Sequence, residues 1–337
     1  VFVERGCARE EVERGGGDEN ERSFEAMVHA KADNVVRSGT MSILNMSILR
    51  GRSQRRFISD LLAARPNTSR RVIASLTTLP DRIGNLQPTL DCLVNQTRPP
   101  DEIVVAVPEF SIRQKRGYII PEFIACIPKV RIIRCEIDWG PATKFIPAIH
   151  RELAAGDGDT LVMVVDDDRV YPRDALETYL FYHAQLPEAA LCFRGAPMPN
   201  DLRWRRPQLV FGDRIREPRK VAVVTGCGSY FIQPRFFDER LWDYASAPSG
   251  AFYMDDIWIS GWLDRRKIDK YVVPTSAMMR TVRAQRRTMT LHDVPDGRRA
   301  NNNATIAYFA ESWNVFSPRL RDRFRKPARP ARADGSR

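Results

Sequence analysis

Three consecutive aspartates, Asp166-Asp167-Asp168, close a run of five apolar residues, Leu161 to Val165. An apolar run of that length suits a strand buried on both faces, as in a parallel sheet. Ionised carboxylates are costly to bury unpaired, so the three must stand at the strand's carboxyl end. Open α/β sheets keep their ligands there. Alternate positions of an extended segment point the same way, which sends Asp166 and Asp168 out together and Asp167 away from them. Two hard oxygen donors on one side favour Mg²⁺ or Mn²⁺, ions that commonly carry phosphates. A solvated acidic turn, with one Asp capping a helix that begins near Pro172, accounts for the same residues. The rest of the chain has to decide between the two.

Elements on either side must position these carboxylates. Val72–Leu76 reads as a first strand, followed by the polar loop Thr77 to Arg82. Ile83, Leu86, Leu90 and Leu93 recur at helical spacing, giving a helix over Gly84–Asn95 that Pro88 interrupts. Glu102–Val107 and Val130–Cys135 read as further strands. The loop Asp138 to Lys144 and a helix carrying Phe145, Ile149 and Leu153 lead back to the aspartates. Strands and helices that alternate in this way predict a mostly parallel, doubly wound sheet with helices on both faces. Beyond Asp168 the spacing predicts a helix over Arg173–Gln185 and a strand over Ala190–Phe193. An irregular Arg- and Pro-rich excursion follows over Gly195–Lys220, then a strand over Val221–Val224 that runs into Gly226-Cys227-Gly228. A helix opens at Asp255-Asp256, and Tyr271–Val273 is a last strand.

The chain has 337 residues and a net charge of +11, enough for one large α/β domain with a preference for acidic partners. Basic residues concentrate at Arg50–Arg56 and Arg319–Arg332. Residues 1–65 read as a non-domain segment of poor periodicity with one short amphipathic helix over Phe57–Ala64; order is expected from Arg71. The domain spans 70–317, and 318–337 reads as a disordered basic tail. The six cysteines form no C-x-x-C pair, which argues against zinc and for reduced thiols in a cytoplasmic setting. Basic tails would suit peripheral contact with an anionic membrane surface.

The first β-α-β unit, with Ser75-Leu76-Thr77-Thr78 leading into Asp81-Arg82 and then Leu93-Val94-Asn95-Gln96-Thr97, resembles the nucleotide-binding half of family-2-like glycosyltransferases of GT-A fold. Asp166-Asp167-Asp168 resembles their D-x-D motif, and Asp255-Asp256 resembles their downstream acidic pair. The resemblance spans about Arg71 to Phe316. It departs in lacking a Q-x-x-R-W motif and in running the second strand into Pro108-Glu109, where many relatives carry an Asp. It implies a single GT-A (Rossmann-like) catalytic domain that moves a sugar from a nucleotide-diphospho-sugar to a carbohydrate or other hydroxyl acceptor. Thr77, Thr78, Leu79, Arg82, Lys144, Asp166 and Asp167 would then bind the donor. Asp166 and Asp168 would hold Mn²⁺ or Mg²⁺, with His292 as a third ligand. Asp256 would be the base of an inverting transfer, and Asp255 would orient it or the acceptor. Trp139, on a loop, is a candidate to stack on sugar. A Mg²⁺-dependent nucleotidyltransferase would want a Gly-rich loop after the first strand, and Thr77–Arg82 has none. A nucleic-acid-binding module would want basic residues interleaved with aromatics on a folded face, whereas much of this excess lies in the tails, so no specific nucleic-acid partner is expected.

Overall fold

The computed structural model describes residues 43–63, 70–205, 208–282 and 295–313, with side chains from Ser53 onward. Its centre is an eight-stranded sheet, of which β1 (Val72–Thr77), β2 (Glu102–Pro108), β5 (Val130–Cys135) and β6 (Leu161–Val164) form the parallel part. In sheet order this part runs β6-β1-β2-β5. The other part runs β11-β14-β8-β13, from β11 (Arg219–Val221), β14 (Lys270–Val272), β8 (Ala190–Cys192) and β13 (Tyr230–Ile232). β13 lies antiparallel to both β6 and β8 and joins the two parts.

Residues alternate between two cores along each buried strand, as a period of two requires. Ile73, Val104 and Val162 face one core, where α4 (Ile146–Ala154) and α6 (Asp255–Arg265) pack. Val72, Ala74, Val105 and Met163 face the other, covered by α2 (Gln87–Val94) and α5 (Ala175–His183). The expected sheet with helices on both faces is therefore what forms. Pro88 sits at the start of α2, where its missing N–H costs nothing, and the preceding turn, Ile83–Asn85, is a separate 3₁₀ helix.

Several expectations change. The helix expected over Phe57–Ala64 is longer, α1 (Ile43–Leu62), and it docks on the domain with Ile58 fully buried. Gln54 Nε2 donates to the carbonyls of Gly212 (3.3 Å) and Ile215 (3.0 Å). The excursion over Gly195–Lys220 contains structure. β9 (Arg194–Ala196), β10 (Val210–Phe211) and β12 (Val223–Val224) form a small antiparallel sheet. Val221–Val224 is thus divided between two sheets, because β11 ends at Val221. Elements with no expectation include β13, a three-residue strand too short for a period to show, and α7 (Arg298–Tyr308), whose sequence is mostly polar. Cys92, Cys126, Cys135, Cys192 and Cys227 are free thiols. Among the described residues no helix is long and apolar enough to cross a membrane. Residues 1–42 and the tail beyond Trp313 lie outside the described residues.

Candidate active site

The carboxyl ends of β1 and β6 open into a cleft of about 650 Å³. Thr77, Thr78, Leu79, Arg82, Lys144, all three aspartates, Asp255 and Asp256 line it together. His292 lies outside the described residues.

The strand ends at Val164, so the aspartates sit on the turn beyond it, before the two-residue strand β7 (Arg169–Val170). The Asp166 amide donates to Tyr171 Oη at 2.8 Å, which fixes the turn. Asp166 Oδ1 meets Lys144 Nζ at 2.8 Å, and the same Nζ meets Asp255 Oδ2 at 2.7 Å. Burial would raise the Asp166 carboxyl, but the Lys144 charge overrides it and holds Asp166 below the usual carboxylate range. Burial opposes the charge on Lys144 as well, and the facing Asp166 and Asp255 keep it protonated well above the ordinary lysine value. Lys144 is therefore neither a surface residue nor a free cation. It is a buried bolt between the end of β6 and the start of α6.

Its loop is built for that position. Gly140 has φ +58°, and a Cβ there would stand 2.7 Å from the Phe252 carbonyl oxygen. The Gly140 amide donates to Asp138 Oδ1 at 2.7 Å, and Ser75 Oγ donates to the Lys144 carbonyl at 2.7 Å. Trp139, expected to stack on sugar, packs against the core instead, with its indole N–H on the Trp242 carbonyl at 3.3 Å.

Asp167 is buried and, rather than turning away from Asp168 as alternation predicted, shares the Arg82 guanidinium with it. Thr78 Oγ1 donates to it at 2.7 Å, Arg82 pairs with it at 3.2 Å, and Thr89 Oγ1 donates to its carbonyl at 2.8 Å. Burial, only partly offset by Arg82, pushes its carboxyl up to about 6. Thr77 is spent on the sheet, its hydroxyl donating to the Ala106 carbonyl at 2.7 Å. Asp168 meets Arg82 at 3.1 Å and Arg169 at 3.1 Å. Gln96, in the segment that carried part of the resemblance, bolts α2 to the loop after the aspartates. It donates to Pro172 O at 2.8 Å and accepts from the Leu176 amide at 3.1 Å.

Asp256 stands in the first turn of α6. Its Oδ1 accepts the Gly226 amide at 2.7 Å. Ser260 Oγ, one turn on, donates to the Asp256 carbonyl (2.6 Å) and accepts the Val224 amide (3.0 Å), which ties α6 to β12. A helix N-terminus favours an ionised carboxylate. Burial and the neighbouring Asp255 charge outweigh that dipole and push it up to about 7. Gly226 is where the cluster closes. A Cβ there would overlap Lys144 Nζ and stand 3.1 Å from both Asp166 Oδ1 and Asp256 Oδ1. Sequence reasoning missed Tyr171, Arg169, Arg194 and the cleft residues of α7. None of them belongs to a motif or a periodic stripe.

The site is thus a carboxylate-lined cleft at the ends of parallel strands, with the buried Asp256 carboxyl raised toward neutrality. Residues 81–242 match the model of the family described as Glycosyl transferase family 2. The match covers a little under half of the chain, and over that span the chain is similar to family-2 glycosyltransferases. No curated protein matches the chain. Among solved structures, S. aureus TarS 1-349 is 14% identical over 63% of this chain, with a TM-score of 0.39. The chain spans 60% of that protein's length. A 4-diphosphocytidyl-2C-methyl-D-erythritol synthase is 15% identical over 61% of this chain and 88% of its own, with a TM-score of 0.35.

Proposed function

We propose that this chain transfers a sugar from a nucleotide-diphospho-sugar to an acceptor hydroxyl with inversion, Asp256 being the general base. The observation that carries this reading is Asp256 itself. It is a buried carboxyl raised to about 7, held by the Gly226 amide, in the same cleft as Asp166 and Asp168. A base works best with a pKa near the working pH. Asp256 takes the proton from the acceptor hydroxyl as that oxygen attacks the anomeric carbon. One carboxylate acting on one face gives a single displacement, hence inversion. Gly226 N–H orients the accepting carboxylate. Asp255, bound by Lys144, keeps the start of α6 in place. Arg82, at the rim of the donor loop, supplies positive charge toward a diphosphate.

Asp166 and Asp168 fit Mn²⁺ or Mg²⁺. Both carboxylates reach the cleft, and they are hard oxygen donors. Among the described residues no group of three metal-ligating side chains exists, so phosphate oxygens of the donor would complete the shell begun by two carboxylates. Such an ion would neutralise charge on the departing diphosphate.

A panel of sugar nucleotides, scored by Mn²⁺-dependent transfer or hydrolysis, identifies the donor. With that donor, Asp256→Asn should bind at near wild-type affinity by calorimetry, while single-turnover transfer falls by about 10² to 10⁴. Asp168→Asn should weaken donor binding and lower the rate by about 10³. Normal transfer by Asp256→Asn removes it as the base. Equal activity in excess EDTA removes the metal.

A further inference from the structure

The two walls of the cleft differ in charge. On the wall built from the end of β1, the Asp138 loop and the end of β6, Arg82, Arg113, Lys144 and Arg169 are matched by Asp138, Asp166, Asp167 and Asp168. On the opposite wall, Arg194, Arg205, Arg298 and Arg299 stand against Asp255 and Asp256, which are already held by Lys144 and by the Gly226 amide, and against Asp201, which pairs with Arg205. The second wall therefore carries a surplus of positive charge, and it is the wall that holds the base.

That surplus is organised. Arg298 and Arg299 are exposed in the first turn of α7, which has no acidic residue in that turn and no side-chain cap. Cations at a helix N-terminus are opposed by its dipole, and an anion bound between them relieves the cost. Asn303 Oδ1 accepts the Trp204 amide at 2.7 Å, so α7 and the loop bearing Arg205 are tied together. Arg205 pairs with Asp201 at 3.1 Å, a surface pair that exchanges readily. Arg194, deeper in the cleft, lies over the Phe211 ring at 5.6 Å. Trp204 and Tyr253 line the same cleft, both partly buried against the core.

We propose that the acceptor is an acidic saccharide whose carboxylate or phosphate groups are bound by Arg205, Arg298 and Arg299. Guanidinium forks pair with either group in two parallel hydrogen bonds. The inference rests on the transferase reading, and it adds the class of acceptor.

The test uses the full chain and three labelled probes: an oligogalacturonate, a phosphate-bearing mannose oligosaccharide and neutral maltohexaose. The cleft variant is Arg205→Gln/Arg298→Gln/Arg299→Gln. A charge-matched control removes exposed arginines elsewhere, as Arg55→Gln/Arg131→Gln/Arg134→Gln. At least one acidic probe should bind about tenfold more tightly than maltohexaose, a difference that the cleft variant abolishes and the control keeps. The acidic probe preferred tells carboxylate from phosphate. Equal binding of the neutral probe, or equal losses in the two variants, overturns the proposal, the latter because general attraction to a basic protein would explain it. Sugar-nucleotide hydrolysis by the wild type is read separately. Hydrolysis without acidic preference sinks the acceptor class alone. Acidic preference without hydrolysis of any donor sinks the transferase reading.

Discussion

At the scale of single residues, the site depends on the side chains of Asp256 and Lys144 and on one residue that has no side chain. Asp256, with its carboxyl near 7, is protonated below that pH and cannot then accept a proton. Transfer should rise about tenfold per pH unit below 7 and level off above it, and Asp256→Asn should flatten that limb in a pH–rate profile. Gly226→Ala would place a methyl group on Lys144 Nζ, beside Asp166 and Asp256. The cluster must open to admit it. The expected outcome is a drop in transfer of at least about tenfold in a variant that still folds, seen as normal circular dichroism with a low single-turnover rate. Lys144→Met should be worse, because it leaves Asp166 and Asp255 facing each other without a cation. A broken buried pair costs about 3–5 kcal/mol, readable as a lowered denaturation midpoint. The carboxylates were legible in the sequence because three aspartates cannot continue a strand buried on both faces, and so mark where it ends. What Lys144 does was not legible. Its partners lie 22 and 111 positions away, and only the fold brings them within 3 Å.

At the scale of elements, β1, β2 and β6 could be read because each is a run of mostly buried apolar residues between turn signals, whereas β5, with Arg131 and Arg134 exposed, showed itself by Val130, Ile132 and Ile133. β5 and β6 begin where the apolar pattern begins. The later half resisted, since strands of two or three residues present too few positions for alternation to be seen. The helix α1 shows the opposite error. Its sequence looks too basic to dock, yet one apolar stripe with Ile58 and Leu62 suffices to bury a face, while Arg55 and Arg56 stay in solvent. Ile58→Ala should therefore destabilise the domain by about 2–4 kcal/mol in urea titration. If the variant matches the wild type, α1 is an accessory to the fold rather than part of it.

At the scale of the whole molecule, a net charge of +11 coexists with a cleft wall of balanced charge and one of surplus. Composition suggested acidic partners but could not say where they would sit. The sheet is held in one piece by β13, which pairs with β6 through residues 230–232 and with β8 through residues 230–231. Without β13, hydrogen bonding leaves a four-stranded parallel half and a three-stranded remainder. The turn that precedes it carries the amide on which Asp256 rests. During synthesis, then, the ribosome releases a chain whose parallel half can assemble early, while its carboxylate cluster waits for residues 226–232 to thread between strands already made. Nascent chains halted with residue 225 just outside the exit tunnel should resist protease over β1–β6, and chains halted about 30 residues later should gain protection through β8.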